Sequence, residues 1–141
     1  MRSRAFKAEQ KISITGGTIT VTSSVEGIEA PIIVIDDGDI SVYATDDGIN
    51  ASTSAIITTG LSVTINGGSV YIEVGAGDTD AIDSNGDLWV NGGIIDIIAT
   101  TSSFDFDGNG AINGGTITVN GQQITEMPTQ MMPGGGMGGR R

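Results

Sequence analysis

Apolar and polar residues alternate along most of this chain, and glycine interrupts the alternation at regular intervals. KISITGGTITVTSS, IIVIDDGDISVYAT, VTINGGSVYIEVGA, LWVNGGIIDIIATT and AINGGTITVNGQ align on the second residue of a Gly-Gly or Asp-Gly step, at Gly17, Gly38, Gly68, Gly93 and Gly115. The spacings are 21, 30, 25 and 22 residues, and the insertion STSAIITTG from Ser52 to Gly60 accounts for the long one. Alternation with period 2 is the mark of strands with one buried face. On that reading Ile12, Ile33, Val63 and Leu88 form one inward column, and Ile14, Ile35, Ile65, Val90 and Ile112 form the next. Beyond the glycine step come Ile19, Ile40, Val70, Ile95 and Ile117, then Val21, Val42, Ile72, Ile97 and Val119. A third short strand is expected around Phe6, Ile28, Ile49, Ile82 and Phe106.

Three strands in each unit of roughly 22 residues, with like residues stacked on like, predict an all-β fold: a right-handed parallel β-helix of about five rungs. Glycine at the second position of each step allows the positive φ of a tight turn, and Asn or Asp before it tolerates the same region. The alternative is an antiparallel sandwich in which each NGG is a hairpin turn. SRAFKAEQ aligns with VEGIEAP and DDGINAS, so the chain is expected to start in the third strand of an incomplete rung. The solenoid domain is drawn over residues 1–121, and EMPTQMMPGGGMGGRR predicts a flexible Gly/Met/Pro tail over 122–141.

Charge changes the picture next. The net charge is −11, and the six basic residues are Arg2, Arg4, Lys7, Lys11, Arg140 and Arg141, so no cation lies between Ile12 and Gly139. Nucleic-acid binding is thereby excluded as an expectation, because phosphate neutralisation by Lys and Arg supplies most of that affinity. There is no cysteine and no histidine, which removes disulfides and soft metal sites. No stretch of eighteen apolar residues is present, so no membrane span is expected. The acidic, Thr-, Gly- and Asn-rich composition points to an extracellular or cell-surface location.

The acidic residues fall into register beside the third strand. Glu26, Asp47 and Asp80 lie two positions before its inward residue, and Glu29, Asn50, Asp83 and Asp107 lie one after, with Asp46 beside them. Strands stack about 4.8 Å apart. Two unit charges at that distance repel by about 0.9 kcal/mol in bulk water and about 3.5 at an effective dielectric of 20. With no protein cation in the body of the chain, raised carboxylate pKa values, solvent screening or a metal must relieve the repulsion. Oxygen-only ligands select a hard cation, and flexible coordination favours calcium over magnesium. DFDGNGAI, with donors Asp105, Asp107 and Asn109 and the turn glycine Gly110, matches the first half of an EF-hand loop; Thr116 stands where the bidentate Glu is expected.

Three aromatic residues are expected outside: Trp89 on the first strand, Tyr43 and Tyr71 on the second. Flat aromatic surfaces flanked by hydrogen-bonding groups suit sugar rings. Catalysis is not expected. Eliminative cleavage of uronates calls for an Arg or Lys base, and the rungs have neither. A repeated Asp column looks ionic rather than catalytic, so the Asp46 and Asp47 pair is not read as an acid and base.

With its GGxIxV rungs and its EGIEA, DDGINAS and DGNG turns, the sequence resembles a bacterial carbohydrate-binding domain family of right-handed β-helix proteins, roughly from Arg4 to Gly121. The resemblance implies a polysaccharide-lyase-like fold, binding of acidic polysaccharides such as polygalacturonate or of cellulosic glucan, bound calcium, and correspondence to the C-terminal part of such a domain. The competing expectation is a structural solenoid, whose open strand edges support end-to-end self-association or surface adhesion.

Overall fold

The computed structural model describes residues 4–77 and 79–128, and among them every regular element is a strand. Strands β1 (Arg4–Lys7), β3 (Glu26–Ala30), β5 (Ile49–Ala51), β8 (Asp80–Ser84) and β11 (Ser102–Phe106) form a five-stranded parallel sheet, the third side of the coil. The other two sides belong to one continuous sheet, because β2 (Lys11–Ser24) and β4 (Ile32–Ala44) run unbroken through the corner. In later turns the corner divides the chain into β6 (Ser62–Ile65) and β7 (Ser69–Val74), β9 (Asp87–Val90) and β10 (Ile94–Ile98), and β12 (Gly110–Ile112) and β13 (Thr116–Val119). These strands all pair in parallel from one turn to the next. The sandwich with hairpins at NGG is therefore ruled out, and a β-solenoid of about five turns stands in its place.

The expected columns are the observed ones on the first two sides. Ile33 pairs with Val63 and Val63 with Leu88; Ile40 pairs with Val70, Val70 with Ile95 and Ile95 with Ile117. Ile40, Ile72, Ile95 and Ile117 are wholly buried. On the third side one expectation fails. Phe104, not Phe106, pairs with Ile82 and is buried, whereas Phe106 pairs with Ser84 and is only partly covered. The two rings are two residues apart, so either register keeps the same face inward and alternation cannot choose between them. The outward partner of Asp83 is consequently Asp105 rather than Asp107.

Two devices hold the corner between the first and second sides. Gly68, Gly93 and Gly115 all have φ near +90°, and a Cβ on Gly93 would lie 3.1 Å from the Gly67 carbonyl one turn below. Beside them runs an amide ladder: Asn66 donates to Asp36, Asn91 to Asn66 and Asn113 to Asn91, each through Nδ2 to Oδ1 at 2.8 Å.

The C-terminal end of the coil carries a strand that sequence reading assigned to the tail. Strand β14 (Gln122–Ile124) turns back antiparallel onto β13 through Asn120 (φ 51°) and Gly121 (φ 87°), the positive-φ pair that an Asn-Gly hairpin turn requires. Asn120 also bonds the backbone of Ala99 twice, accepting from its N–H and donating to its carbonyl. Regular structure thus reaches residue 124 rather than stopping at 121. The expected flexible tail lies outside the described residues from 129 onward.

Strand β3 and the approach to β5 contain glycines for want of space rather than for φ. A Cβ on Gly48 would sit 2.4 Å from Ile72 Cγ2 and 2.7 Å from the Ala81 carbonyl oxygen, while one on Gly16 meets nothing within 4 Å. Gly48→Ala is therefore expected to cost about 1–3 kcal/mol through overpacking. Gly16→Ala should change stability by less than about 0.5 kcal/mol, as an open surface site does. Urea unfolding of both variants checks the pair, and equal destabilisation would refute the stacking described here.

Candidate functional site

The outward face of the third side is built from two columns of side chains, repeated turn by turn. Arg4 pairs in register with Glu26, and Lys7 with Glu29; Glu29 pairs with Asn50, Asn50 with Asp83 and Asp83 with Asp105. The expectation that no protein cation reaches this ladder needs correction. Arg4 Nε donates to Glu29 Oε1 and lies 3.9 Å from Glu26 Oε1, and Ser52 Oγ donates to Glu29 Oε2 at 2.8 Å. Burial by itself would raise the pKa of Glu29, but the Ser52 hydroxyl and the Arg4 guanidinium outweigh it and hold the carboxyl below its ordinary value. The first turn thus supplies the cation for the second.

Further along the coil three carboxylates come together. Asp47, Asp80 and Asp83 bring one carboxylate oxygen each to within 4.8 Å of one another. Local structure explains how they meet. Asp47 sits just before β5, where Gly48 lets the chain pass close to Ile72, and its Oδ1 accepts the backbone N–H of Asp80 at 3.0 Å. Asp80 and Asp83 stand at either side of the inward Ala81 and Ile82 of β8. Asp47 is buried and the other two are half-buried.

That crowding shifts protonation. Burial, then the charges of Asp47, Asp80 and Asp105, pushes Asp83 up to about 8. Burial also raises Asp47, to about 6, with the charges of Asp46 and Asp80 adding to it and the Asp80 N–H opposing. Burial and mutual repulsion together favour a proton held within the Asp47–Asp83 pair. Next to Asp83 in register, Asn50 is buried, and its Oδ1 has no hydrogen-bond donor among the described residues. Three clustered carboxylates and an oxygen lacking a donor form a set that could hold a hard cation.

The other acidic candidates lie elsewhere. Asp46 occupies the preceding corner, where its N–H donates to the Val25 carbonyl. Asp105 stands beside Asp83 on the next turn. Asp107 and Asn109 are exposed in the turn after β11, and Asp87, which sequence reading did not single out, fixes that turn by accepting the Asn109 N–H at 2.9 Å. The turn residues that suggested an EF-hand loop are held by a side chain of the previous turn and do not join the trio.

The outward aromatics divide between two sides. Trp89 lies on the first side, in register between Thr64 and Ala111 and partly buried. Tyr43 and Tyr71 lie on the second, with ring centroids 5.6 Å apart and planes at 54°. The corner from Asn91 to Gly93 separates β9 from β10, so Trp89 does not join the tyrosine pair. Tyr71 donates to Glu73 Oε1 at 2.8 Å, and that bond is the main cause of its phenol being pushed up to about 12. Beside Tyr43 lies a shallow cavity of about 200 Å³, lined also by Thr22, Ser23, Thr45 and Glu73. Period-2 alternation alone places Glu73 next to both rings, as the neighbour of Tyr43 in the second-side register and the same-face neighbour of Tyr71, although the pattern of aromatic residues does not point to it.

Among the described residues no helix is long and apolar enough to cross a membrane. No curated protein and no solved structure matches the chain. A family model described as carbohydrate-binding domain-containing protein matches residues 2–129, nearly the whole length. The chain belongs to this carbohydrate-binding domain family.

Proposed function

We propose that this chain is a non-catalytic, extracellular or cell-surface module that binds polysaccharide through its outward aromatic residues and carries calcium on its acidic trio. The observation that carries the reading is the Tyr43–Tyr71 pair, set on an open sheet face of a chain whose family binds carbohydrate. Tilted rings side by side offer apolar surface to the axial C–H groups of sugar, and neighbouring hydroxyls such as Ser41, Thr20 and Thr22 offer hydrogen bonds. The ligand is a polysaccharide of the acidic type, such as polygalacturonate, or a cellulosic glucan. Calcium fits the trio because all its donors are oxygen and flexible coordination tolerates carboxylates from two different turns. For an acidic chain the ion has a second use, bridging two sets of carboxylates that would otherwise repel.

A second reading is supported by the edge of β2. This long strand pairs with β4 on one side, and among the described residues no strand pairs with its other edge. An unpaired edge of that length is a template for another copy. Light scattering on the purified chain separates a monomeric binder from a stacking solenoid.

The metal reading has a pH signature. In metal-free buffer the folded pKa values of Asp47, about 6, and Asp83, about 8, exceed the ordinary 3.8, so the folded state holds protons that the unfolded chain releases. Their contribution is complete below pH 4 and is lost as pH rises through 6 to 8, so melting with chelator should occur at a lower temperature at pH 8 than at pH 5. Calcium needs the deprotonated carboxylates and should act oppositely, stabilising more at pH 8 than at pH 5. At a hundredfold excess over Kd the gain is about 2.7 kcal/mol, several degrees in Tm. Asp83→Asn should raise the metal-free Tm at pH 8 and abolish most of the calcium effect. Equal stabilisation by NaCl at matched ionic strength would reduce the trio to a screened cluster.

The sugar reading is checked on immobilised polysaccharides. Tyr71→Ala is expected to weaken binding by about tenfold, some 1.4 kcal/mol, with little change in Tm because the ring lies outside the core. Trp89→Ala is the comparison. Loss of binding on removing Trp89 alone would move the platform to the first side of the coil.

A further inference from the structure

The carbohydrate reading leaves the class of sugar open between acidic and neutral chains, and the cavity beside Tyr43 narrows it. Its lining includes Tyr43, which is 39% exposed, and the hydroxyl-bearing residues Thr22, Ser23 and Thr45. Its charged group is Glu73. Tyr71 fixes that carboxylate by donating to Oε1, while Tyr71 in turn packs against Tyr43, so ring and carboxylate are positioned as one unit. A carboxylate is an acceptor with about four lone-pair sites, and one phenol donor leaves most of them available. The partner that suits it is a group with adjacent O–H donors.

We infer that this cavity seats one unit of a neutral polysaccharide, its ring against Tyr43 and two adjacent hydroxyls donating to Glu73, and that it rejects uronates. The inference rests on the carbohydrate-binding reading given above and deepens it. A volume of about 200 Å³ is below the roughly 300–1,000 Å³ of pockets that enclose whole ligands. It suits a single ring, with the rest of the chain lying along the second side over Ser41, Thr20 and Thr18, which stand in register beside Tyr71, Ser41 and Asp39. Charge selects more sharply than volume. A uronate carboxylate entering here would face Glu73, with Asp96 beside Tyr71 on the next turn, and among the described residues no cation lines the cavity. Of the described basic residues, Arg4 is engaged by Glu29 and Lys7 by Glu9, on β1 of the third side, and Lys11 begins β2 on the first. Like charges in a partly desolvated pocket repel far more than in bulk water.

Calorimetric titration of the full chain in EDTA tests this, using cellohexaose, mannohexaose, xylohexaose and hexagalacturonate as probes. At least one neutral hexamer should bind, and hexagalacturonate should give no heat. Glu73→Gln, which keeps an acceptor for Tyr71, should weaken the neutral ligand by about tenfold or more. Ser23→Ala serves as a second variant with an expected loss of about threefold, and circular dichroism checks that both are folded. Tighter binding of hexagalacturonate than of any neutral hexamer, whether in EDTA or only with calcium, would overturn the inference. Unchanged affinity in both Glu73→Gln and Ser23→Ala would also overturn it, while leaving carbohydrate binding in place at another surface. If no polysaccharide or hexamer binds with or without calcium, the carbohydrate reading itself falls.

Discussion

Everything in this fold follows from in-register parallel stacking, which sets each residue about 4.8 Å above its counterpart in the turn before. Such stacking suits β-branched aliphatic residues, which pack like on like without voids, and the wholly buried Ile40, Val42, Ile65, Ile72 and Ile95 exploit it. It suits glycine at corners, where backbones of successive turns approach too closely for a Cβ. For charged groups the same geometry is adverse, because any residue type that repeats must face itself.

Two polar columns show how differently that constraint is met. An asparagine amide is both donor and acceptor, so Asn113 donates to Asn91 and Asn91 to Asn66 along the corner, Asn91 giving and receiving at once. An ionised aspartate only accepts, so Asp47, Asp80 and Asp83 have no such solution among themselves. They resolve the conflict in part by holding a proton, at the expense of raised pKa values. Where an outside donor is at hand the conflict disappears, as Arg4 and Ser52 show at Glu29. The acidic face is therefore graded: the carboxyl of Glu29 is held below its ordinary value near the beginning, and those of Asp47 and Asp83 are raised in the middle.

Most of the fold was legible because its signal is periodic. Five glycine steps and four aliphatic columns specify side, face and turn together, and a chance match over that many positions is improbable. The convergence of Asp47, Asp80 and Asp83 was legible for the same reason, since it follows from register alone. What escaped reading has no period. Phe104 and Phe106 share a parity, so alternation could not separate them. Arg4 and Lys7 occupy the same two columns as the carboxylates, yet they differ from them in charge, and a search for repeated acids passes over the one turn that carries bases. The hairpin at Asn120 and Gly121 reverses direction once and resembles a corner until the pairing is seen. Glu73 stands in register beside Tyr43, but the cavity it lines takes in the corner residues Thr45 and Gly75, which lie beyond the alternating columns.

The amide ladder has a direction, and that direction decides on which side it can accommodate another turn. Each asparagine passes its N–H toward the earlier turn, and the series ends on Asp36, which can receive but has nothing to hand on. A duplicated turn inserted anywhere after Asp36 would bring its own amide, accept from the turn that follows and donate to the turn that precedes, with no change required elsewhere at the corner. An extra turn before Asp36 would meet a carboxylate with no hydrogen to offer. The ladder is therefore open to extension from the Asn113 side alone, with the aspartate as its fixed starting block.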